Sequence, residues 1–182
     1  MDNGGRKADI YNLDLNKKRM RKKFNVTGLC LPDQHYMADV SKKLAATMVM
    51  VEEGDYFIIN RPRQYGKTTT LHTLAEDLLK TEEYIVFHIS FGGVGNLMFE
   101  DESSFSKEFV ELLADNSIEL EPSLADWLLD IAPTVQSIKT LSKVLTALIN
   151  KTEKKVVLII DEVDQSSNNQ LFVSFLAMLR NK

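Results

Sequence analysis

The sequence predicts an α/β fold in which a mostly parallel β-sheet is covered on both faces by helices. Three short apolar runs, at residues 56–59, 84–89 and 156–160, have the length and β-branched content of strands that are buried on both faces. Segments with helical periodicity separate the three runs. Buried strands that alternate with helices imply right-handed crossovers, and these place the strands parallel to one another.

Length and composition fit one domain with a buried core. The chain has 182 residues, of which 44% are hydrophobic and 26% are charged. The net charge of −4 argues against a globally basic nucleic-acid-binding protein. A single cysteine, Cys30, excludes an internal disulfide, and no spacing of Cys and His suggests zinc. Because no apolar run has the length of a membrane span or a signal peptide, we expect a cytoplasmic protein without membrane segments.

The N-terminal part of the chain is polar and strongly basic. Residues 17–23 contain six Lys or Arg side chains among seven residues. The preferred interpretation of such a run is a solvated, self-repelling tail. A nuclear-import signal or a contact with nucleic-acid phosphates are the alternatives. The sequence therefore predicts a disordered basic segment over residues 1–23 and a folded domain over residues 24–182.

Local patterns predict the remaining elements of the folded domain. Residues 24–31 are β-prone and stop at a Pro-Asp turn signal. The loop at residues 91–96 receives only a structural interpretation. Apolar side chains recur at helical spacing in six further segments, at residues 40–51, 68–80, 103–115, 123–131, 136–150 and 171–179.

The segment that joins the first predicted strand to the next helix carries the most informative pattern. Residues 61–68 read RPRQYGKT and occupy the place of a phosphate-binding loop, whose pattern is G-x-x-x-x-G-K-[ST]. In such a loop, backbone N–H groups and the helix dipole attract an anion. Gly66 lets the backbone approach a phosphate, Lys67 reaches the β- and γ-phosphates, and the Thr68 hydroxyl ligates Mg²⁺.

The rest of this loop is assigned with its alternatives open. Arg61 stands where the first glycine of the pattern is expected, so that a chance Gly-Lys-Thr at a helix start is the alternative for the segment taken alone. Arg63 either contacts phosphate or pairs with the acidic residues described next. The full set predicted to bind the nucleotide is Arg63, Gln64, Tyr65, Gly66, Lys67, Thr68 and Thr69.

Two acidic residues end the third predicted strand. Residues 156–160 run directly into Asp161 and Glu162. Ligands bind at the carboxyl edge of open α/β sheets, which is where these carboxylates would lie. Asp161 is predicted to hold the Mg²⁺ shell through water, and Glu162 to accept a proton from an attacking water. The alternative is that the two acids merely cap the strand.

The two motifs together resemble the AAA-ATPase-like family. Residues 61–68 and the sequence IDEVD at residues 160–164 carry the resemblance, and residues 26–30 and 35–37 are also similar. An arginine often replaces the first loop glycine in that family. The resemblance implies a P-loop ATPase of the additional-strand type, with a three-layer P-loop NTPase fold and a catalytic glutamate after the Mg²⁺ aspartate.

The resemblance also implies parts that this sequence does not contain. In such folds the next strand sits between the loop-bearing and the acid-bearing strands, and no candidate strand follows Leu179. We therefore expect the fold to be truncated before its last core strands and the isolated chain to be unstable or to aggregate. Family members commonly continue into a domain that resembles PD-(D/E)xK nucleases. The sequence leaves the oligomeric state open.

Three further residues are assigned structural roles. Asp164 is assigned to a turn or a helix cap rather than to the metal shell. His35 and Tyr36 are assigned to core packing rather than to an adenine pocket.

The sequence thus predicts Mg²⁺-dependent ATP binding and hydrolysis, with Lys67 and Glu162 as catalytic residues and with Thr68 and Asp161 at the metal. Hydrolysis would drive or gate a larger protein. One alternative is a nucleotide-binding regulatory or scaffold module with negligible turnover. Another is a nucleic-acid-processing factor that uses residues 17–23. Because no motif reads the base, the preference for ATP over GTP rests on the resemblance.

Overall fold

The computed structural model describes residues 21–25, 28–31, 33–60, 65–117, 121–163 and 170–182. The chain divides into two compact units, Met1–Asp39 and Val40–Lys182. The predicted disordered segment therefore lies almost wholly outside the described residues.

The first unit contains no strand over the described part of residues 24–31, so that prediction is wrong. The Asn25 side-chain amide donates to the carbonyl oxygens of Gly28 and Leu29, at 3.1 Å each. Gly28 has a φ of 71°, which is a left-handed backbone. These contacts join the Asn25 side chain to the backbone of residues 28 and 29, where an extended chain was expected.

Further contacts join described residues of the first unit. Lys23 and His35 form an isolated parallel bridge, and the rings of Phe24 and Tyr36 lie 5.0 Å apart. Tyr36 is 56% exposed, so its assignment to core packing is wrong. The His35 Nδ1 atom accepts a hydrogen bond from the Leu31 N–H at 3.0 Å.

The second unit is an α/β fold, and its helices and strands lie close to the predicted positions. The described residues of this unit form six α-helices and two strands. In chain order these are α1 (Ser41–Glu52), α2 (Lys67–Lys80), β1 (Tyr84–Ser90), α3 (Glu102–Ser117), α4 (Pro122–Ile131), α5 (Ile138–Lys151), β2 (Lys155–Asp161) and α6 (Gln170–Arg180). Short 3-10 turns at Asn96–Phe99 and Ala132–Thr134 precede α3 and α5. No described helix has the length and apolar character needed to cross a membrane.

Side-chain caps fix the start of two helices. Asp101 precedes α3, and its carboxylate accepts hydrogen bonds from the backbone N–H groups of Ser103 and Ser104 in the first turn of the helix. The bonds from Ser104 are the largest cause that holds the pKa of the Asp101 carboxyl below its ordinary value. Ser137 and Thr140 form a reciprocal capping box at the start of α5. Both caps satisfy backbone donors that have no partner within the helix.

The two strands are parallel and adjacent, in a register that pairs Tyr84 with Lys155 and Ser90 with Asp161. The Phe91 N–H donates to the Asp161 carbonyl at 3.0 Å, which extends the pairing one residue past β1. The carboxyl ends of both strands therefore meet at one edge of the sheet. On the outer edge of β1, the His88 N–H donates to the Asn116 side chain of α3 at 3.1 Å.

Successive residues of the strands point into two separate cores, as period-two alternation requires. Ile85, Phe87 and Ile89 pack on the core formed with α3, α4, α5 and α6. Tyr84 and Val86 pack on the core formed with α1 and α2. Helices thus cover both faces of the sheet, as the sequence predicts. Aromatic residues fill the larger core, and the fully buried ones are Phe87, Phe91, Phe105, Phe109, Phe172 and Phe175.

The predicted loop-bearing strand at residues 56–59 is absent, and this part of the fold prediction is wrong. Tyr56 is 45% exposed and Ile58 is 72% exposed, whereas Phe57 and Ile59 are half-buried. An extended segment becomes a strand only when a neighbouring strand pairs its backbone groups. No described strand lies beside residues 56–59 to pair with their backbone groups. The sheet of the described residues therefore has two strands.

Candidate functional site

The described end of the predicted phosphate-binding loop lies at the start of α2. Gly66 precedes the helix with a φ of 73°, in the left-handed region that favours glycine. Its carbonyl oxygen accepts hydrogen bonds from the Thr70 N–H at 2.9 Å and from the Thr70 hydroxyl at 2.8 Å. Lys67 and Thr68 are thereby the first two residues of the helix. The backbone N–H groups in the first turn of a helix point out of its N-terminus, where an anion can bind.

A hydrogen bond joins the two motifs that the sequence singled out. The Thr68 hydroxyl donates to the Asp161 Oδ2 atom at 2.8 Å, across 93 residues of sequence. Asp161 ends β2 and is only 6% exposed. The Glu162 N–H donates to the other carboxylate oxygen of Asp161 at 2.8 Å. The start of α2 and the end of β2 therefore form one site at the carboxyl edge of the sheet.

Glu162 turns away from the strand at this edge. Its φ is 57°, a left-handed conformation that is uncommon for a residue with a side chain. Its Oε2 atom accepts a hydrogen bond from the Ser90 hydroxyl at 3.1 Å. The Ser90 oxygen in turn accepts from the Gly92 N–H at 3.1 Å. The two neighbouring acids are thus held separately, Asp161 by α2 and Glu162 by the end of β1.

Ser90 and Gly92 lie beside Glu162 at this edge, although the sequence analysis did not identify them. The loop at residues 91–96 was assigned only a structural role, and its Gly92 is hydrogen-bonded to Ser90. One signal was available in the sequence, since a serine follows the second apolar run and acids follow the third. Parallel strands bring such ends together, but the register that places Ser90 opposite Asp161 is a property of the folded sheet.

His88 lies two residues before Ser90 and is half-buried. Burial is the largest cause that lowers the pKa of its imidazole from the ordinary value of 6.5. The nearby Asp161 charge opposes this effect, and His72 of α2 adds to it. The neutral imidazole is therefore favoured in the folded protein.

A cavity of about 410 Å³ lies beside the start of α2, within the second unit. Three lysines line it, and these are Lys42, Lys43 and Lys67. Apolar side chains of α1 and of the segment before the loop form much of the remaining wall. No acidic residue is among the described residues that line the cavity, so an anionic ligand with an apolar part suits its chemistry.

The other predicted site residues are placed as follows. Tyr65 is 66% exposed and Thr69 is buried in the first turn of α2. Arg63 and Gln64 lie outside the described residues, as do Arg61 and Asp164. The described residues contain no cluster of three or more His, Cys, Asp or Glu side chains arranged to hold a metal ion. The Thr68 hydroxyl and the Asp161 carboxylate place oxygen atoms of two side chains next to each other at this edge.

Comparison with known proteins supports an assignment at the level of the family. No curated protein and no solved structure matches the chain. The model of a family described as an AAA-like domain matches residues 29–182, which confirms the resemblance inferred from the two motifs. The matched range includes α2, both strands and the site at their ends. The chain therefore belongs to the AAA-like domain family, which indicates a nucleotide-binding function of the ATPase type.

Proposed function

We propose that this protein binds the triphosphate of ATP with Mg²⁺ and hydrolyses it at the carboxyl edge of the sheet. The observation that carries the proposal is the hydrogen bond between Thr68 and Asp161. It supports a common task for a loop and an acid pair that are far apart in sequence. Phosphoryl transfer depends mainly on positioning and on charge stabilisation, which such a site can provide.

The side-chain oxygen atoms at this edge are of the type that binds a magnesium ion. Mg²⁺ prefers oxygen ligands, dehydrates reluctantly and is usually held by one or two protein groups together with water and substrate phosphates. Thr68 and Asp161 offer a hydroxyl and a buried carboxylate in direct contact. In the proposed site Thr68 and Asp161 would hold the ion. When bound, the ion neutralises charge on the phosphates.

The remaining residues act on the phosphates and on the attacking water. We assign Lys67 to the β- and γ-phosphates, because it begins the helix that Gly66 opens. Glu162 is assigned as the base that takes a proton from water, since its carboxylate is held apart from that of Asp161. Arg63, Gln64, Tyr65 and Thr69 complete the proposed binding set, as the sequence analysis predicts.

The cavity beside α2 is the proposed place for the sugar and base of the nucleotide. It is next to Lys67 and has about 410 Å³ of space. Met50 and Ile59 offer apolar contacts for a planar base, and Asn60 offers polar groups. Lys42 and Lys43 add positive charge, which favours a ligand that carries phosphates.

Nucleotide binding is tested with Lys67→Ala, using Lys80→Ala as the control. Both lysines belong to α2, but Lys80 lies in its last turn and pairs with Asp77 at 2.8 Å. Removing a charged donor from the phosphates weakens binding by about 10- to 100-fold. We expect that loss for Lys67→Ala in calorimetric titrations with Mg²⁺-ATP, and wild-type affinity for Lys80→Ala. Equal affinity of Lys67→Ala and wild type would refute the proposal.

A second variant separates hydrolysis from binding alone. Glu162→Gln keeps the size of the side chain but cannot act as a base. An ATPase loses turnover in this variant and keeps its affinity for ATP. A regulatory module with negligible turnover shows no difference between Glu162→Gln and wild type in phosphate release.

A further inference from the structure

The last three residues of the basic run are tied by their backbone to a second segment of the first unit. The Lys23 N–H donates to the Gln34 carbonyl at 2.9 Å, and the Lys23 carbonyl accepts from the Tyr36 N–H at 3.0 Å. These bonds form the parallel bridge of the first unit. The side chains of residues 21–23, here called the cationic triplet, are one Arg and two Lys, and all three are exposed. The bridge therefore holds the end of the triplet beside Tyr36.

Two exposed aromatic side chains adjoin the cationic triplet. Phe24 follows Lys23 directly and is 82% exposed, and Tyr36 is 56% exposed. The centroids of the two rings lie 5.0 Å apart, at an interplanar angle of 35°. Because Tyr36 is bonded to the residue before Phe24, the backbone bridge helps to hold this aromatic pair together. A ring exposed to this extent presents a flat apolar face to water, on which another planar ring can stack.

The first unit differs from the second in the sign of its charge. Residues 1–39 contain eight Lys or Arg and five Asp or Glu, whereas residues 40–182 contain fourteen and twenty-one. Such a division of charge is typical of a basic segment that binds a polyanion. A chain of phosphates therefore matches the charge of the first unit, although the whole protein is acidic.

The arrangement of rings and cations favours one class of polyanion, the single-stranded nucleic acids. Proteins that read a duplex place a helix or a β-ribbon in a groove, and the described residues of the first unit contain no helix and an isolated bridge. An anionic lipid surface attracts the same cations, but binding to it commonly uses the apolar face of a helix. The bases of a single strand are open on both faces, and they stack on aromatic side chains while cations follow the phosphates.

We propose that the first unit binds single-stranded nucleic acid. A base stacks on the aromatic pair, and the adjacent phosphates contact the cationic triplet. Binding is largely independent of base identity, because every base has a flat face and every nucleotide has a phosphate. The proposed ATPase uses a different set of residues, at the start of α2 and the end of β2, so mutations can separate the two activities.

The stacking contact is tested with a fluorescently labelled single-stranded DNA and an oligonucleotide of the same length that lacks bases. Both probes carry the same phosphate charge, so their difference in affinity reports the contribution of the bases. In fluorescence anisotropy titrations of the full chain, we expect wild type to bind the normal strand at least ~5-fold more tightly than the abasic strand. Phe24→Ala should remove most of this difference, whereas Phe24→Trp should retain it.

A matched control separates stacking from a general effect of aromatic residues. Tyr56→Ala removes a 45% exposed ring of the second unit and should leave both affinities at the wild-type values. Because Phe24 is 82% exposed, its replacement should leave the fold intact, and circular dichroism of each variant checks this.

The phosphate contacts are tested by the dependence of affinity on salt. Each phosphate contact with a single strand contributes about −0.7 to the slope of log K against log salt concentration. The double variant Lys22→Gln/Lys23→Gln should therefore have a slope that is less steep by about 1.4, and it should weaken binding to both probes. Lys139→Gln/Lys143→Gln removes two exposed lysines of α5 and should leave the slope unchanged.

Several results would overturn the proposal. Wild type that binds neither strand, or that binds the normal and abasic strands equally, excludes stacking on a base. Tighter binding to a duplex of the same sequence excludes the preference for a single strand. Binding to phosphatidylserine vesicles without binding to the strand assigns the surface to a membrane instead. A parallel titration with RNA of the same sequence shows which nucleic acid binds more tightly. No titration contains ATP, so a failure of the ATPase proposal leaves these results unaffected.

Discussion

Replacing Thr68 with valine removes the hydroxyl that joins α2 to β2 and leaves the shape of the side chain nearly unchanged. The lost hydrogen bond, of 2.8 Å, reaches a carboxylate that is only 6% exposed. Water therefore replaces the donor poorly. Hydrogen bonds to charged groups contribute about 1.5–3 kcal/mol, and the other oxygen of Asp161 keeps its bond to the Glu162 N–H. We expect a loss of about 2 kcal/mol in the free energy of unfolding.

Thr73→Val is the matched control for this prediction. Thr73 belongs to the same helix and is also half-buried, but its hydroxyl donates to the Thr69 carbonyl one turn earlier. Threonine and valine have similar helix propensities, so the helix itself contributes little to either change. We expect Thr73→Val to cost about 0.5 kcal/mol or less, because a local bond of this kind adds little to helix stability.

Urea unfolding followed by circular dichroism measures both free energies, provided that the slopes of the transitions agree. A double-mutant cycle with Asp161→Ala then isolates the pair, and a coupling energy of about 1 kcal/mol or more is expected for residues in direct contact. If Thr68→Val and Thr73→Val lose the same stability, or if the cycle gives no coupling, the two motifs are not held together by this contact.

The remaining predictions concern a titrating histidine and a turn. Burial lowers the pKa of His88 below 6.5, so the unfolded chain binds the proton more readily than the folded protein does. The free energy of unfolding is therefore highest above about pH 6.5, and it falls as the pH decreases toward the folded-state pKa. His88→Gln should show a shallower fall between about pH 7.5 and about pH 5.5 in urea unfolding, although Asp161 opposes and His72 reinforces the shift in wild type; an identical fall in both proteins would contradict this origin. Gly66→Ala should lower the free energy of unfolding by about 1–2 kcal/mol, because an L-residue is strained at a φ of 73°. Gly95→Ala, at a φ of −64°, should leave it unchanged, and thermal melts of the two variants measure the difference.

Sequence patterns were sufficient where the determining interactions are local. The helix from Lys67 to Lys80 follows from apolar spacing after a glycine, and β1 and β2 follow from short β-branched runs. The family was also accessible, since Gly-Lys-Thr at a helix start and two acids at a strand end form a recognisable pair. These features depend on residues that are close in the chain.

Predictions failed where a distant partner decides the conformation. Residues 56–59 have the composition of a strand, yet an apolar run cannot specify whether another strand lies beside it to pair its backbone. The prediction of a strand at residues 24–31 failed for a different reason, because the Asn25 side chain binds backbone carbonyls that a strand would pair.

The sequence by itself determined the helices and the two paired strands of the second unit and the chemical types of the candidate site residues, because periodicity and short motifs are properties of adjacent positions. The tertiary structure alone decided which of these residues meet. The 2.8 Å bond from Thr68 to Asp161 requires α2 to pack on the same face to which Asp161 points. The hydrogen bond from the Ser90 hydroxyl to the Glu162 carboxylate depends on the register of two parallel strands. A sequence pattern does not encode that register directly, since it follows from the packing of the whole core.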